Sequence, residues 1–237
     1  MGAKAFDFDG DYGANYETFI RQVIPGYEAM HALSGAMLEP ACGPRGRVLV
    51  VGCGTGSEIR ILGKIHPGWT FTGLDPSEAM ITSTRAALGT NGMGERVTLI
   101  KGTISDLPKA PSFDAATCML VSHFIRDEKE KTKLFHEIGS RLAPGGRLVV
   151  ADACDESSQS FRDMMACRWM FARTQGADPE RYRRFQEECN SSLNSIDPTR
   201  EQELIRLAGF GTVRKFWTSL HINAWFATNF KEPSAPA

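Results

Sequence analysis

Between residues 47 and 152 the chain alternates short runs of branched apolar residues with longer stretches whose apolar positions recur every three or four. The first run, Val48-Leu-Val-Val51, lacks polar alternation, as does a strand buried on both faces. Such runs predict strands at 47–52, 69–75, 96–101, 113–121 and 146–152. The stretches between them predict helices at about 57–65, 77–89 and 127–142. Alternation of this kind builds a parallel, doubly wound α/β sheet with right-handed crossovers.

The pattern changes at both ends. Phe19, Ile20, Val23, Tyr27, Met30, Leu33 and Met37 recur at helical spacing, and Pro25-Gly26 interrupts them. This predicts two short helices over the ligand cleft, with Pro25 in the first turn of the second. Residues 155–195 break the alternation as a helical insertion. Phe161, Met164, Met165, Trp169, Met170 and Phe171 form its apolar stripe, and Arg181-Tyr-Arg-Arg184 a basic run. A helix over Thr199–Gly209 and strands over Val213–Trp217 and Leu220–Ala227 finish the sheet with an antiparallel hairpin. The expected organisation is lid helices in 1–45, one ligand-binding domain in 46–230 carrying the insertion, and a disordered tail at 231–237.

Composition narrows this picture. The chain has 237 residues, 42% of them hydrophobic and 23% charged, as in a globular protein that buries a full core. A net charge of −1 supplies no long-range attraction to nucleic acid or an anionic membrane. No apolar stretch approaches the ~20 residues that span a bilayer, and Met1–Asp7 lacks a signal-peptide core. The six cysteines show no metal-binding spacing, so the expectation is reduced thiols, no metal and the cytoplasm.

The chemistry concentrates where the first strand ends. Gly52-Cys-Gly-Thr-Gly56 is a G-x-G-x-G turn, unlike the G-x-G-x-x-G of a dinucleotide fold. Its backbone N–H groups suit a small carboxylate better than a pyrophosphate. Asp75, after the second strand, can accept both hydroxyls of a ribose. Together they outline a site for an adenosine with a compact zwitterionic tail, and S-adenosylmethionine (SAM) is the ligand expected.

Five segments in order carry a wider resemblance: Val48–Glu58, Gly73–Met80, Lys101–Pro108, Phe113–Val121 and Arg141–Val150. They resemble the motifs of class I SAM-dependent methyltransferases. The resemblance implies a Rossmann-like seven-stranded sheet of order 3-2-1-4-5-7-6 and methyl transfer to a small-molecule O, N, S or C nucleophile, with S-adenosylhomocysteine as product. A narrower likeness, through Arg21–Tyr27, the helical insertion and Leu207-Ala-Gly-Phe210, is to carboxy-SAM synthases of tRNA wobble-uridine modification. Through these resemblances the cofactor-binding residues would be Tyr27, Gly52, Cys53, Gly54, Thr55, Gly56, Asp75, Pro76, Met80, Thr103, Ile104 and Met119. The chain departs from the synthases at Leu204, where they place an arginine for the extra carboxylate, and leucine cannot pair an anion. Ordinary SAM is therefore expected, with tRNA modification, or SAM binding without catalysis, as the alternatives.

Other candidates carry two readings each. His123, at the end of the fourth strand, is either a general base or a packed histidine. Asp106 either replaces the usual acceptor of the adenine amino group or caps a turn. The 161–171 stripe is either core or lid, and is expected to line, with the Phe19–Met30 face, a mostly closed pocket against the end of the fourth strand. His221, Trp217 and Trp225 read as packing, and the arginines at 181, 183 and 184 as a solvated face. Nothing in the sequence sets the oligomeric state, and a dimer is compatible with it.

Overall fold

The computed structural model describes residues 8–9, 16–90, 92–110, 112–155 and 158–231. Seven strands form one sheet: β1 Arg47–Val51, β2 Thr70–Asp75, β3 Val97–Lys101, β4 Phe113–Met119, β5 Leu142–Ala153, β6 Phe210–Ser219 and β7 Ile222–Phe230. Their order is β3-β2-β1-β4-β5-β7-β6, the order expected from the motifs. The first five run parallel and the terminal hairpin adds β7 antiparallel to β5.

The helices are α1 Tyr16–Val23, α2 Tyr27–Cys42, α3 Ser57–Ile65, α4 Glu78–Thr90, α5 Glu128–Gly139, α6 Gln159–Thr174, α7 Pro179–Ser192 and α8 Pro198–Leu207. Local chemistry sets their starts. The carboxylates of Asp127, Asp178 and Asp197 accept first-turn amides of α5, α7 and α8, and Pro179 and Pro198 occupy first-turn positions that need no donor.

Period-2 alternation along β1 divides the core. Val48 and Val50 pack with α1, α2, α3 and α7, whereas Leu49 and Val51 pack with α5 and α8 on the other face. The amino-terminal helices and the insertion thus share one core with the sheet. Among the described residues, no helix is long and apolar enough to cross a membrane.

Several boundaries differ from the sequence expectation. Pro25 stays outside α2, which begins at Tyr27 after Gly26 at φ 75° and runs sixteen residues rather than a short stretch. Strand β4 stops at Met119 because Leu120 takes φ 60°, a conformation that turns the chain out of the sheet. Strand β5 begins at Leu142, four residues early, because Leu142 already pairs with Phe113 before a bulge. Leu220 forms the hairpin turn at φ 52° rather than opening β7. Of the tail expected at 231–237, only Lys231 is among the described residues.

Candidate active site

The glycine turn leaves β1 with all three glycines at positive φ: 72° at Gly52, 53° at Gly54 and 76° at Gly56. A Cβ on Gly52 would lie 2.3 Å from Val121 Cγ2, and one on Gly56 2.8 Å from Thr84 Cγ2. A Cβ on Gly54 would meet nothing within 4 Å, so the loop is bare toward the cavity, where a ligand can approach its backbone. The turn uses much of its own donor capacity. Cys53 N–H donates to Leu74 O at 2.8 Å, Gly56 N–H to Cys53 O at 2.9 Å and Gly54 N–H to Asp75 Oδ2 at 2.9 Å. The donors best suited to an anion are therefore the first amides of α3, which begins at Ser57.

Asp75 joins the glycine turn to the segment after β2. Besides Gly54, it accepts Ser77 N–H on Oδ1 at 3.0 Å. Burial pushes its pKa up, while those two amides and the nearby Asp9 charge act in opposite senses. A carboxylate has about four lone-pair sites, so two remain for ribose hydroxyls. Asp75→Ala is expected to weaken SAM binding by about 1.5–3 kcal/mol, roughly 10- to 150-fold in Kd, as calorimetry would measure. Because Gly54 also loses its acceptor, the apo protein should melt lower. An unchanged Kd would remove Asp75 from the ligand site.

One cavity, with about 200 Å³ of room inside its walls, lies over the C-terminal ends of β1, β2 and β4. Tyr27, Gly52, Cys53, Gly54, Thr55, Asp75, Pro76, Met80, Met119 and His123 all line it. Gly56, Thr103 and Ile104 do not. Gly56 supports the turn from behind, against Thr84, and Ile104 packs in the core on the far face. Thr103 and Asp106 form a capping box, with Asp106 Oδ2 accepting Thr103 N–H at 2.7 Å, so Asp106 closes its own turn.

Other lining residues were not singled out from the sequence. Glu58 is buried at the wall with Oε1 lacking a partner, and burial pushes its carboxyl up to about 7. His31, on α2, is buried against Tyr27 with both ring nitrogens unpartnered, and burial aided by the Arg21 charge pushes it down to about 3. The apolar stripe of the insertion is a correction. Of α6, Arg168 lines the cavity, whereas the 161–171 hydrophobics do not, and Met170 is 51% exposed. Phe185, Cys189 and Leu193 face the cavity instead, with Ile20 and Ile24 of the amino-terminal segment. His221, expected to pack, also lines it. Arg183 does pair with Glu187 at 2.9 Å on the surface of α7, whereas Arg181 lies over the Phe19 ring.

His123 sits in a short 3-10 turn, Ser122–Phe124, just beyond the strained Leu120. Its Nδ1 makes a very short contact with Asp152 Oδ1, so Nδ1 carries the proton and donates to that carboxylate. The Ala153 amide, 3.3 Å from the same nitrogen, has Asp152 Oδ1 at 3.1 Å as its acceptor. Nε2 is then the basic nitrogen, on a side chain at the cavity wall.

Behind it lies a fully buried polar cluster. Ser122 Oγ donates to Asp152 Oδ2 and lies 3.0 Å from Glu201 Oε1. Lys131 Nζ donates to Glu201 Oε2 at 3.1 Å and is 4.0 Å from Asp152 Oδ2. Burial alone would push both carboxyls up. It does so for Glu201, which together with repulsion from Asp152 stands at about 7. The His123 and Lys131 charges and the Ser122 hydrogen bond instead hold Asp152 below its ordinary value.

Comparison with known proteins finds a domain match, distant relatives and a shared fold. Residues 48–146 match the family described as Methyltransferase domain. Carboxy-S-adenosyl-L-methionine synthase of Campylobacter fetus is 24% identical over 211 residues, 89% of this chain and 88% of that one. The Chromohalobacter salexigens synthase is 26% identical over 152 residues, 62% of this chain, and the match spans about half of that protein, 54%. A putative O-methyltransferase structure from Nostoc punctiforme superposes with a TM-score of 0.66 at 14% identity, over 92% of this chain and 59% of that one, a likeness of fold.

Proposed function

We propose that this chain is a class I SAM-dependent methyltransferase and methylates a small acceptor enclosed in the cavity between the glycine turn and His123. The single observation that carries the reading is the pairing, in one cavity, of a bare Gly54 backbone beside Asp75 with a carboxylate-oriented imidazole opposite. The residues fit SAM. Asp75 has lone pairs for the ribose, and the α3 amino terminus suits the carboxylate. When bound, SAM supplies a methyl group already activated by its sulfonium, so the protein's task is chiefly placement.

His123 Nε2 takes the proton that the acceptor's nucleophile loses as its bond to the methyl carbon forms. Asp152 holds the imidazole tautomer and stabilises the charge that develops on it. Ile20, Ile24, Phe185 and Leu193 exclude water from the reacting atoms.

Leu204 does not decide between ordinary SAM and carboxy-SAM, because it does not reach the cavity. It is 1% exposed, packed in the core on the far face, and not part of the cavity lining. Mass spectrometry of ligand carried through purification should show SAM or S-adenosylhomocysteine, and titration with NAD should show no binding. Carboxy-SAM in that extract would overturn the cofactor assignment. NAD binding without SAM binding would overturn the reaction class.

A further inference from the structure

We infer that Glu201 keeps its carboxyl proton in the folded protein and is a positioning residue for methyl transfer. Through the Ser122 hydroxyl it fixes the Asp152 carboxylate that orients His123. This rests on the methyltransferase reading and extends its machinery to α8, which contributes no residue to the cavity lining.

The buried cluster holds too few hydrogens for both carboxyl groups to be ionised. Ser122 Oγ lies within hydrogen-bond reach of two carboxyl oxygens, Asp152 Oδ2 and, at 3.0 Å, Glu201 Oε1. A hydroxyl has one proton and donates to one of them. Were both groups ionised, the other oxygen would face a lone pair, where Ser122 is 0% and both carboxyl residues are 1% exposed. A proton on Glu201 Oε1 removes the conflict. Glu201 then donates to Ser122 Oγ, and Ser122 donates to Asp152.

The surrounding donors decide which carboxyl keeps the proton. Asp152 Oδ1 accepts His123 Nδ1–H, the His123 amide at 3.2 Å and the Ala153 amide at 3.1 Å, and Oδ2 accepts Ser122. So many donors demand the ionised form. Glu201 accepts the Lys131 ammonium on Oε2 at 3.1 Å, which leaves Oε1 for the proton. Burial, with repulsion from Asp152, lifts Glu201 to about 7, in the same sense. The thiols of Cys118 on β4 and Cys154 just after β5 also feel these charges, and burial raises both, so neither adds an anion. One ammonium then balances one carboxylate. The hydrogens run one way, from Glu201 through Ser122 to Asp152, and His123 Nδ1–H meets Asp152 from the other side. Turning the Asp152 carboxylate breaks that run, so the imidazole plane and tautomer are held from α8.

The test needs no acceptor. Infrared spectra of wild type minus Glu201→Gln at pH 5.5 should show the carbonyl stretch of one protonated carboxyl group. Glu58, which burial also raises, is common to both proteins and cancels. Glutamine can still donate to Ser122 and accept from Lys131. The low-field proton resonance of His123 Nδ1–H, identified by its loss in His123→Ala, should therefore keep its position in Glu201→Gln. It should shift in Ser122→Ala and in Glu201→Leu, where the run of hydrogens is cut. A difference spectrum without the carboxyl band overturns the inference, and so does a resonance that Ser122→Ala leaves in place. Neither result depends on Glu201→Leu, so poor folding of that variant cannot shelter the inference. Failure of the wild-type protein to bind S-adenosylhomocysteine in calorimetry is a separate failure, that of the methyltransferase reading itself.

Discussion

His123→Ala is expected to lower kcat by about a hundredfold while leaving Kd for SAM within about twofold. The separation follows from the geometry. His123 meets Asp152 and the acceptor end of the cavity, whereas the expected cofactor contacts lie at the glycine turn, α3 and Asp75. Asp152→Asn keeps the side-chain shape but frees the imidazole tautomer, so it should lower kcat with little change in SAM affinity. Full activity in His123→Ala would leave positioning as the whole mechanism, and a proportional loss of SAM binding would make His123 structural.

Lys131→Met should destabilise the fold by about 3–5 kcal/mol, the cost of leaving buried carboxylates without their cation. Lys131 is fully buried, and its ammonium stands between Glu201 and Asp152. The sign of the pH dependence follows from Glu201, whose folded pKa of about 7 lies above its ordinary value of 4.5. A carboxyl raised in this way favours the folded state least when ionised, so the penalty is absent below pH 4.5 and grows as pH rises through 7. Removing Lys131 raises Glu201 further. Urea unfolding should therefore show a larger gap between variant and wild type at pH 8 than at pH 5.5. Adding Glu201→Leu to Lys131→Met should restore much of the loss. A gap that does not change with pH would mean that Lys131 acts through its packing.

The same cluster shows why part of the site was hidden. Lys131, Asp152, Ser122 and Glu201 come from four separate elements, and singly each resembles an ordinary surface residue of its helix or strand. Helical spacing puts Lys131, unlike the exposed Lys129 and Lys133, on the face of Phe135 and Ile138 on α5, but does not show what that face meets. Only the packing of α5 and α8 on one face of the sheet buries it. The place of His221 at the cavity was hidden for a related reason. Its partner Cys154 lies across the β5–β7 register, which strand periodicity cannot specify for a hairpin whose turn is unknown. The 161–171 stripe misled because helical spacing shows that a face is apolar but not what it meets.

What the sequence by itself determined is the information carried within short windows. Unbroken branched runs specify doubly buried parallel strands, capping carboxylates and first-turn prolines specify helix starts, and three glycines at positive φ specify the turn out of β1. Because these are backbone preferences, the strands and the glycine turn were readable before any contact was known, whereas the strand order followed from the resemblance in motif order. Only the tertiary structure decided which side chains meet: the Asp152 carboxylate that orients His123, the helix that places Arg168 over the cavity, and the core that claims Leu204 and Ile104. Those outcomes depend on distant residues sharing one buried volume, and burial is what turns an ordinary carboxylate, lysine or histidine into a group with a perturbed charge and a specific partner.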